Sequence, residues 1–267
     1  MAFVGPPDMF VEADEVYISV TFTWDLPEAE RLEKEWRHIG PVKIGGPGTG
    51  QRGDEFIPGK FLKPGYVITS RGCPNHCWFC SVREREGDVI RELPVTDGWN
   101  VLDDNLLAYS EEHIRAVFSM LARQQKHPYF TGGLEAAKLM PWHIEEMVKL
   151  NPRELFFAYD NPVDRDPLYE AGKQLIAAGF KFCHPLRAYV LVGYPGDTFK
   201  QAEKRLYDCI SAGFCPMAML YRDDSGYRDP EWVRFSWPWS RPAIIYSKVQ
   251  KMKCNLSSKT IKELSFS

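Results

Sequence analysis

Short apolar runs alternate with longer amphipathic stretches along most of this chain. The runs are rich in β-branched and aromatic residues and are bounded by Gly, Pro, Asn or Asp, as β-strands are. The stretches between them place apolar residues three or four positions apart, which predicts amphipathic helices. The predicted strands are, in order, EVYISVTF, PVKIGG, GYVITS, NVLDDN, PYFTGG, ELFFAYD, RAYVLVG and MAMLYR.

The predicted helices carry start and stop signals. One begins near Pro27 and ends at Gly40, and another begins at Ser110, a residue type that caps helix N-termini. Two later helices end at Gly179 and Gly213, as helices often do. Because helices join most of the successive strands, we expect parallel strands in a sheet flanked by helices.

The strand count suggests how the chain is divided. From residue 65 onward six strands follow one another, fewer than in a closed barrel of eight. We therefore expect an α/β fold whose core, residues 65–221, is an open, partial (β/α)6 barrel. Residues 1–64 contain a short strand-helix-strand unit and a linker, and residues 222–267 are expected to form a C-terminal cap and tail.

Composition narrows the class of protein without naming a function. Of the 267 residues, 44% are hydrophobic and 26% are charged, which is ordinary for a soluble globular protein. A net charge of -3 argues against phosphate binding over the whole surface. The N-terminus lacks a signal-peptide pattern and no apolar window is long enough to cross a bilayer, so we expect a cytoplasmic protein without a membrane partner.

Three of the seven cysteines lie in the stretch RGCPNHCWFC, at Cys73, Cys77 and Cys80. In a reducing compartment this crowding indicates a metal site rather than a disulfide framework. Three thiolates on one loop suit an iron-sulfur cluster with one iron left open. A zinc site is the alternative, and it needs His76 or a distant cysteine as its fourth ligand. The other cysteines are scattered: Cys183, Cys209, Cys215 and Cys254.

The spacing Cys73-x3-Cys77-x2-Cys80, with the aromatic Phe79 before the last cysteine, resembles the signature of the radical SAM superfamily. The resemblance implies a 4Fe-4S cluster bound by the three cysteines, next to Phe79, with S-adenosylmethionine at the open iron. It also implies reductive cleavage of S-adenosylmethionine to a 5'-deoxyadenosyl radical that abstracts hydrogen from a substrate. An electron donor such as flavodoxin or ferredoxin is implied as a partner.

Later segments resemble the same superfamily and occur in its order. GGLE is similar to its glycine-glycine-acidic motif, so the resemblance implies that Gly132, Gly133 and Glu135 hold the methionyl ammonium. It further implies that Asp160 contacts the ribose and that Val192, in YVLVGYPGDT, lies along the adenine. The PGDT ending is similar to a motif of the methylthiotransferase and cobalamin-dependent branches, which suggests RNA or another large molecule as substrate.

Structural interpretations stay open for several of these residues. GGLE also suits a strand-to-helix turn, and Asp160 also suits a turn or a cap. Asp103, Asp104 and Asn105 either reach the substrate or cap the next helix. Arg187 either pairs with a cofactor carboxylate or is solvated.

The two ends of the chain prompt separate hypotheses. The N-terminal unit resembles the last part of a cobalamin-binding domain, but no Asp-x-His-x-x-Gly segment occurs, so we expect a docking unit without cobalamin. Its glycine-rich end is interpreted as a turn rather than a phosphate cradle. The segment 222–246 interleaves arginines with aromatic residues, which suits either stacking on unpaired bases or a cap over the barrel. The cap is favoured because the chain is acidic overall.

The sequence therefore predicts a radical SAM enzyme with an unknown substrate. The alternative is a non-enzymatic zinc or iron-sulfur module that binds nucleic acid or protein.

Overall fold

The computed structural model describes residues 5–50, 62–87, 89–182 and 184–256, with the backbone alone for 251–256. Most of the predicted linker, Cys183 and the side chain of Cys254 therefore lie outside the described part. Within it, no helix combines the length and the apolar composition needed to cross a membrane.

The N-terminal unit consists of strand β1 (Val16–Ser19), helix α1 (Leu26–Trp36) and strand β2 (Val42–Gly45). The two strands pair in parallel, so the predicted strand-helix-strand unit is confirmed. The glycine-rich segment after β2 packs against the chain that follows β1, because a Cβ atom at Gly46 would lie 2.5 Å from the carbonyl oxygen of Val20. This close contact supports the interpretation as a turn.

The rest of the chain alternates strands and helices. In chain order the elements are β3 (Tyr66–Val67), β4 (Ser70–Arg71), α2 (Val82–Glu86), β5 (Arg91–Glu92), β6 (Asn100–Val101), α3 (Glu111–Ala122), β7 (Tyr129–Leu134), α4 (Pro141–Leu150), β8 (Glu154–Ala158), α5 (Arg165–Ala177), β9 (Leu186–Val192), α6 (Phe199–Ser211), β10 (Cys215–Leu220), α7 (Pro230–Trp239) and α8 (Pro242–Leu256).

Six of these strands form one sheet in the order β3-β6-β7-β8-β9-β10, with parallel pairing throughout. The predicted parallel sheet of six strands flanked by helices is thus confirmed. Each strand lies beside the next sheet strand along the chain, so all six carboxyl ends meet at the same edge of the sheet. Strands β4 and β5 form a separate antiparallel pair that the sequence pattern did not predict.

The core forms where the helices cover the sheet. Strand residues such as Leu155, Leu186 and Val190 are fully buried and join the apolar faces of the helices in one cluster. Local signals start the helices where expected, since the Ser110 hydroxyl accepts a hydrogen bond from the His113 amide at 3.1 Å. Tertiary burial and local capping therefore agree along this part of the chain.

Helix α7 packs on β10 at the end of the sheet. Trp239 is buried, and Trp232 packs against Phe199 with ring centroids 4.4 Å apart. The Arg241 guanidinium lies over the Trp237 ring at 4.2 Å, where Trp237 is largely exposed. The aromatic side chains thus pack on the inner side with an arginine toward solvent, and the role of this segment as a cap over a barrel stays a prediction.

Candidate functional site

The loop that carries Cys73, Cys77 and Cys80, here called the cysteine loop (residues 72–81), leaves the sheet at its carboxyl edge. Its starting segment is held by the acids that follow β6. Asp103 Oδ1 accepts hydrogen bonds from the amides of Thr69 at 2.6 Å and Ser70 at 3.1 Å, and its other oxygen accepts from the Thr69 hydroxyl. Asp103 is 1% exposed, so it acts as an internal support for this segment.

The first residue of the cysteine loop has two further supports. Asp104 Oδ2 accepts from the Gly72 amide at 2.8 Å, and the buried Tyr109 hydroxyl donates to the Gly72 carbonyl at 2.7 Å. Asp103 and Asp104 therefore fix the backbone that leads into the cysteine loop, and Ser110 caps the next helix instead. The helix-cap interpretation is therefore wrong for these two acids, and contact with a substrate stays a prediction.

Glu135 joins the GGLE motif to the cysteine loop. Its Oε2 accepts from Asn75 Nδ2 at 3.0 Å and from Asn105 Nδ2 at 2.7 Å, and Asn105 Nδ2 also lies 3.6 Å from Cys73 Sγ. Asn105 is 4% exposed and its Oδ1 has no hydrogen-bond partner among the described residues. The cysteine loop and GGLE, sixty residues apart at Asn75 and Glu135, thus share one hydrogen-bonded group. The sequence did not single out Asn75 as a site residue.

Trp78 links the cysteine loop to the far side of the sheet. Its ring lies 5.7 Å from that of Tyr194, after β9, and 5.6 Å from that of Tyr221, after β10. It also makes an edge contact with Phe79, which is half-buried. The loop therefore extends across the carboxyl edge from β3 to β10, with 59% of Trp78 still exposed.

The three thiols are close enough to influence one another. All are free, with Cys73 and Cys77 half-buried and Cys80 exposed. Burial, followed by the charges of Cys80 and Cys73, raises the pKa of the Cys77 thiol to about 11. Burial also raises the pKa of Cys80. Since mutual repulsion opposes their ionisation, a cationic centre that binds thiolates would relieve it.

The described side chains do not form a closed zinc site. Across the described ranges, no group of three or more His, Cys, Asp or Glu side chains has an arrangement that would hold a metal ion. His76 Nδ1 lies 3.1 Å from Arg83 Nη1, so a guanidinium stands beside the imidazole that a zinc site would need. The three thiols are donors that both an iron-sulfur cluster and zinc accept, so a cluster held by Cys73, Cys77 and Cys80 stays a prediction.

The two glycines of GGLE have different surroundings. A Cβ atom at Gly132 would lie 2.1 Å from the Asp103 carbonyl oxygen, so this residue allows β7 to approach the chain after β6. Gly133 has φ +105°, and no atom lies within 4 Å of its Cβ position. Gly132 is thus required for packing, whereas the backbone at Gly133 borders open space.

Asp160 and Val192 are both built into the sheet edge. Asp160 Oδ1 accepts from the Leu191 amide at 2.8 Å, and burial, reinforced by Asp164, raises the pKa of Asp160 to about 6. The Val192 side chain is fully buried in the core, and its carbonyl accepts from the Tyr221 amide at 2.9 Å. Their roles toward a cofactor stay predictions.

Two other residues singled out from the sequence are structural. Asp197, of the PGDT segment, is fully buried and accepts from Arg205 Nη2 at 2.7 Å. Arg187 is 8% exposed and pairs with Glu154 at 3.1 Å, near the amino end of β9. Both interpretations of Arg187 are therefore wrong, because this arginine is neither solvated nor at the carboxyl edge.

Comparison with known proteins assigns no function. No family model matches this chain, and no curated protein matches it.

Proposed function

We propose that this protein is a radical SAM enzyme, with a partial (β/α)6 barrel and a cluster site at the carboxyl edge of its sheet. One observation carries the proposal: Glu135 of GGLE accepts hydrogen bonds from Asn75, inside the cysteine loop, and from Asn105, which also lies beside Cys73. The two motifs that the resemblance joins in one site are distant in sequence and adjacent in space.

The order of the strands supports the barrel. Each of the six parallel strands lies beside its successor along the chain, without the reversal of strand order that doubly wound sheets have. Strands in simple succession, each followed by a helix, are the repeating pattern of (β/α) barrels. In such barrels the reacting groups come from loops at the carboxyl edge, where the cysteine loop leaves this sheet.

The chain would supply ligands and orientation. Cys73, Cys77 and Cys80 would hold the cluster, and the Glu135 carboxylate would accept hydrogen bonds from the ammonium of S-adenosylmethionine. The bound groups would supply the one-electron cleavage that yields methionine and a 5'-deoxyadenosyl radical. Gly133 offers a backbone open to a ligand, because nothing lies within 4 Å of its Cβ position.

Contacts at both ends support the cysteine loop. Tyr194 and Tyr221 pack beside Trp78 near its last residues. Asp103 and Asp104 hold the loop at its other end through backbone hydrogen bonds. A loop fixed at both ends would limit how far its thiols have to move to bind a cluster.

Anaerobic reconstitution tests the proposal. The full chain is supplied with iron and sulfide, reduced with dithionite and given S-adenosylmethionine, and 5'-deoxyadenosine is quantified. We expect the wild type and Cys209→Ala to form it and Cys77→Ala to form none, because Cys209 is buried in the core away from the loop. Glu135→Gln should retain its iron and bind S-adenosylmethionine more weakly.

Two results would contradict the proposal. One is a cluster-replete protein that forms no 5'-deoxyadenosine and shows no spectral change with S-adenosylmethionine. The other is a protein that takes up zinc in place of iron and holds it equally well after Cys77→Ala. Either result would favour a binding module.

A further inference from the structure

The opposite, amino-terminal edge of the sheet contains a cavity that the proposed function does not use. Its volume is about 290 Å³, and it lies between the loops that lead into β7, β8 and β9. Side chains that line it include His127, Asn151, Arg153, Phe180, Lys181 and His184. It is thus separated from the cysteine loop by the length of the strands.

Backbone hydrogen bonds tie these loops together. The Arg153 amide donates to the Pro128 carbonyl at 2.8 Å, and the Leu155 amide donates to the Pro185 carbonyl at 3.0 Å. The His184 amide donates to the Lys181 carbonyl at 3.3 Å. The cavity walls are therefore held in place by the ends of the sheet itself.

The cavity has a pronounced excess of basic groups. His127, Arg153, Lys181 and His184 line it, and its lining includes no carboxylate within the described part of the chain. None of these four side chains forms an ion pair with a described residue. Glu154, which follows Arg153, is already paired with Arg187 at 3.1 Å. Basic side chains brought together without a carboxylate create a positive potential that attracts an anion.

The size of the cavity restricts what can enter. About ten waters would fill it, at about 30 Å³ each, so it has room for one small molecule, and it opens to solvent because its basic side chains are exposed. The guanidinium of Arg153 and the ammonium of Lys181 provide the fork and the point charge that phosphate oxygens prefer. Two imidazoles add further N–H donors.

We propose that this cavity binds a small phosphate-bearing anion through Arg153 and Lys181, with His127 and His184 as additional donors. The ligand class is a diphosphate or a phosphate ester with at least two negative charges. The site is independent of the cysteine loop, so its binding is measured on the full chain without a cluster.

Titration calorimetry with inorganic pyrophosphate tests this site, at about 0.1 M salt so that weak surface attraction is screened. We expect saturable binding at one site per chain. Arg153→Gln combined with Lys181→Gln should weaken it at least about tenfold, since two charge-assisted contacts are lost. The control combines Lys173→Gln with Lys200→Gln, exposed residues outside the cavity, and removes the same charge.

The control should bind pyrophosphate within about twofold of the wild type, because distant surface charges are screened. Equal weakening of both double variants, or no saturable binding at all, would overturn the proposal. Tighter binding of citrate than of pyrophosphate would overturn the phosphate assignment. Each variant should unfold in urea as the wild type does, because the substituted side chains are exposed. Equal stability then shows that a loss of binding is not a loss of fold.

Discussion

Asp103 provides a sharp test of how the cysteine loop is supported. Its carboxylate accepts from two backbone amides and one hydroxyl, at Thr69 and Ser70, while being 1% exposed. Asp103→Ala removes all three acceptor contacts and leaves the donors buried. Asp103→Asn keeps an oxygen at the position that both amides use, and the Thr69 hydroxyl can then accept from the new amide group.

The two variants should differ strongly in stability. A buried donor left without a partner costs about 1 to 3 kcal/mol, so Asp103→Ala should lower the free energy of unfolding by about 4 kcal/mol. Burial raises the pKa of Asp103, which means that the charged form is disfavoured at this position. The neutral Asp103→Asn should therefore lose no more than about 1 kcal/mol, because it avoids the cost of burying a charge.

The assay is urea unfolding of the cluster-free chain, followed by fluorescence and analysed by linear extrapolation. Asp166→Ala, at an exposed acid on α5, serves as the control and should change stability by less than about 0.5 kcal/mol. Equal stability of the Ala and Asn variants would refute the reasoning. After reconstitution, Asp103→Ala should contain less iron than Asp103→Asn.

Three further predictions concern packing and pH. Gly132→Ala should cost several kcal/mol, more than Gly133→Ala in the same urea assay, because only the first Cβ would collide, 2.1 Å from the Asp103 carbonyl oxygen. Burial lowers the pKa of His143 from 6.5 to about 4, so its contribution to stability is present above pH 6.5 and lost as the pH falls. Urea unfolding at pH 5 should give a free energy of unfolding lower than that above pH 6.5 by at most about 2 kcal/mol, because solvent screening reduces the effect. His143→Gln should abolish this pH dependence. Arg205→Met should lower the free energy of unfolding by about 3 to 5 kcal/mol, because it leaves the buried Asp197 carboxylate without its arginine. An equal Tm for variant and wild type would contradict this.

Basic side chains line the cavity at the amino edge of the sheet and the thiol loop lies at the carboxyl edge, so the two edges differ in their chemistry. A ligand in the basic cavity contacts the loops that lead into β7, β8 and β9, and β7 ends in the GGLE motif. If the proposed anion binds there, it would stabilise the strand that leads to Glu135. Measuring S-adenosylmethionine binding with and without pyrophosphate would reveal any coupling between the two ends.

Much of the fold followed from the sequence because its signals are local. Apolar periodicity and helix caps identified the six sheet strands and the helices α3 to α6, but not the short helix α2. The meeting of the cysteine loop with Glu135 was also foreseeable, since the carboxyl ends of all parallel strands in one sheet share one edge. The pair β4 and β5 was missed because two-residue strands leave no periodic pattern.

The tertiary structure decided what individual polar residues do. Asp103 and Asp104 bind the backbone before and at Gly72, and Arg187 pairs with Glu154, because strand register brings those groups within hydrogen-bonding distance. Sequence order alone leaves such partners undetermined. The basic cavity has the same origin, since three loops that are distant along the chain supply it. Periodicity records which side chains face the core, while the packing of strands determines which polar groups meet.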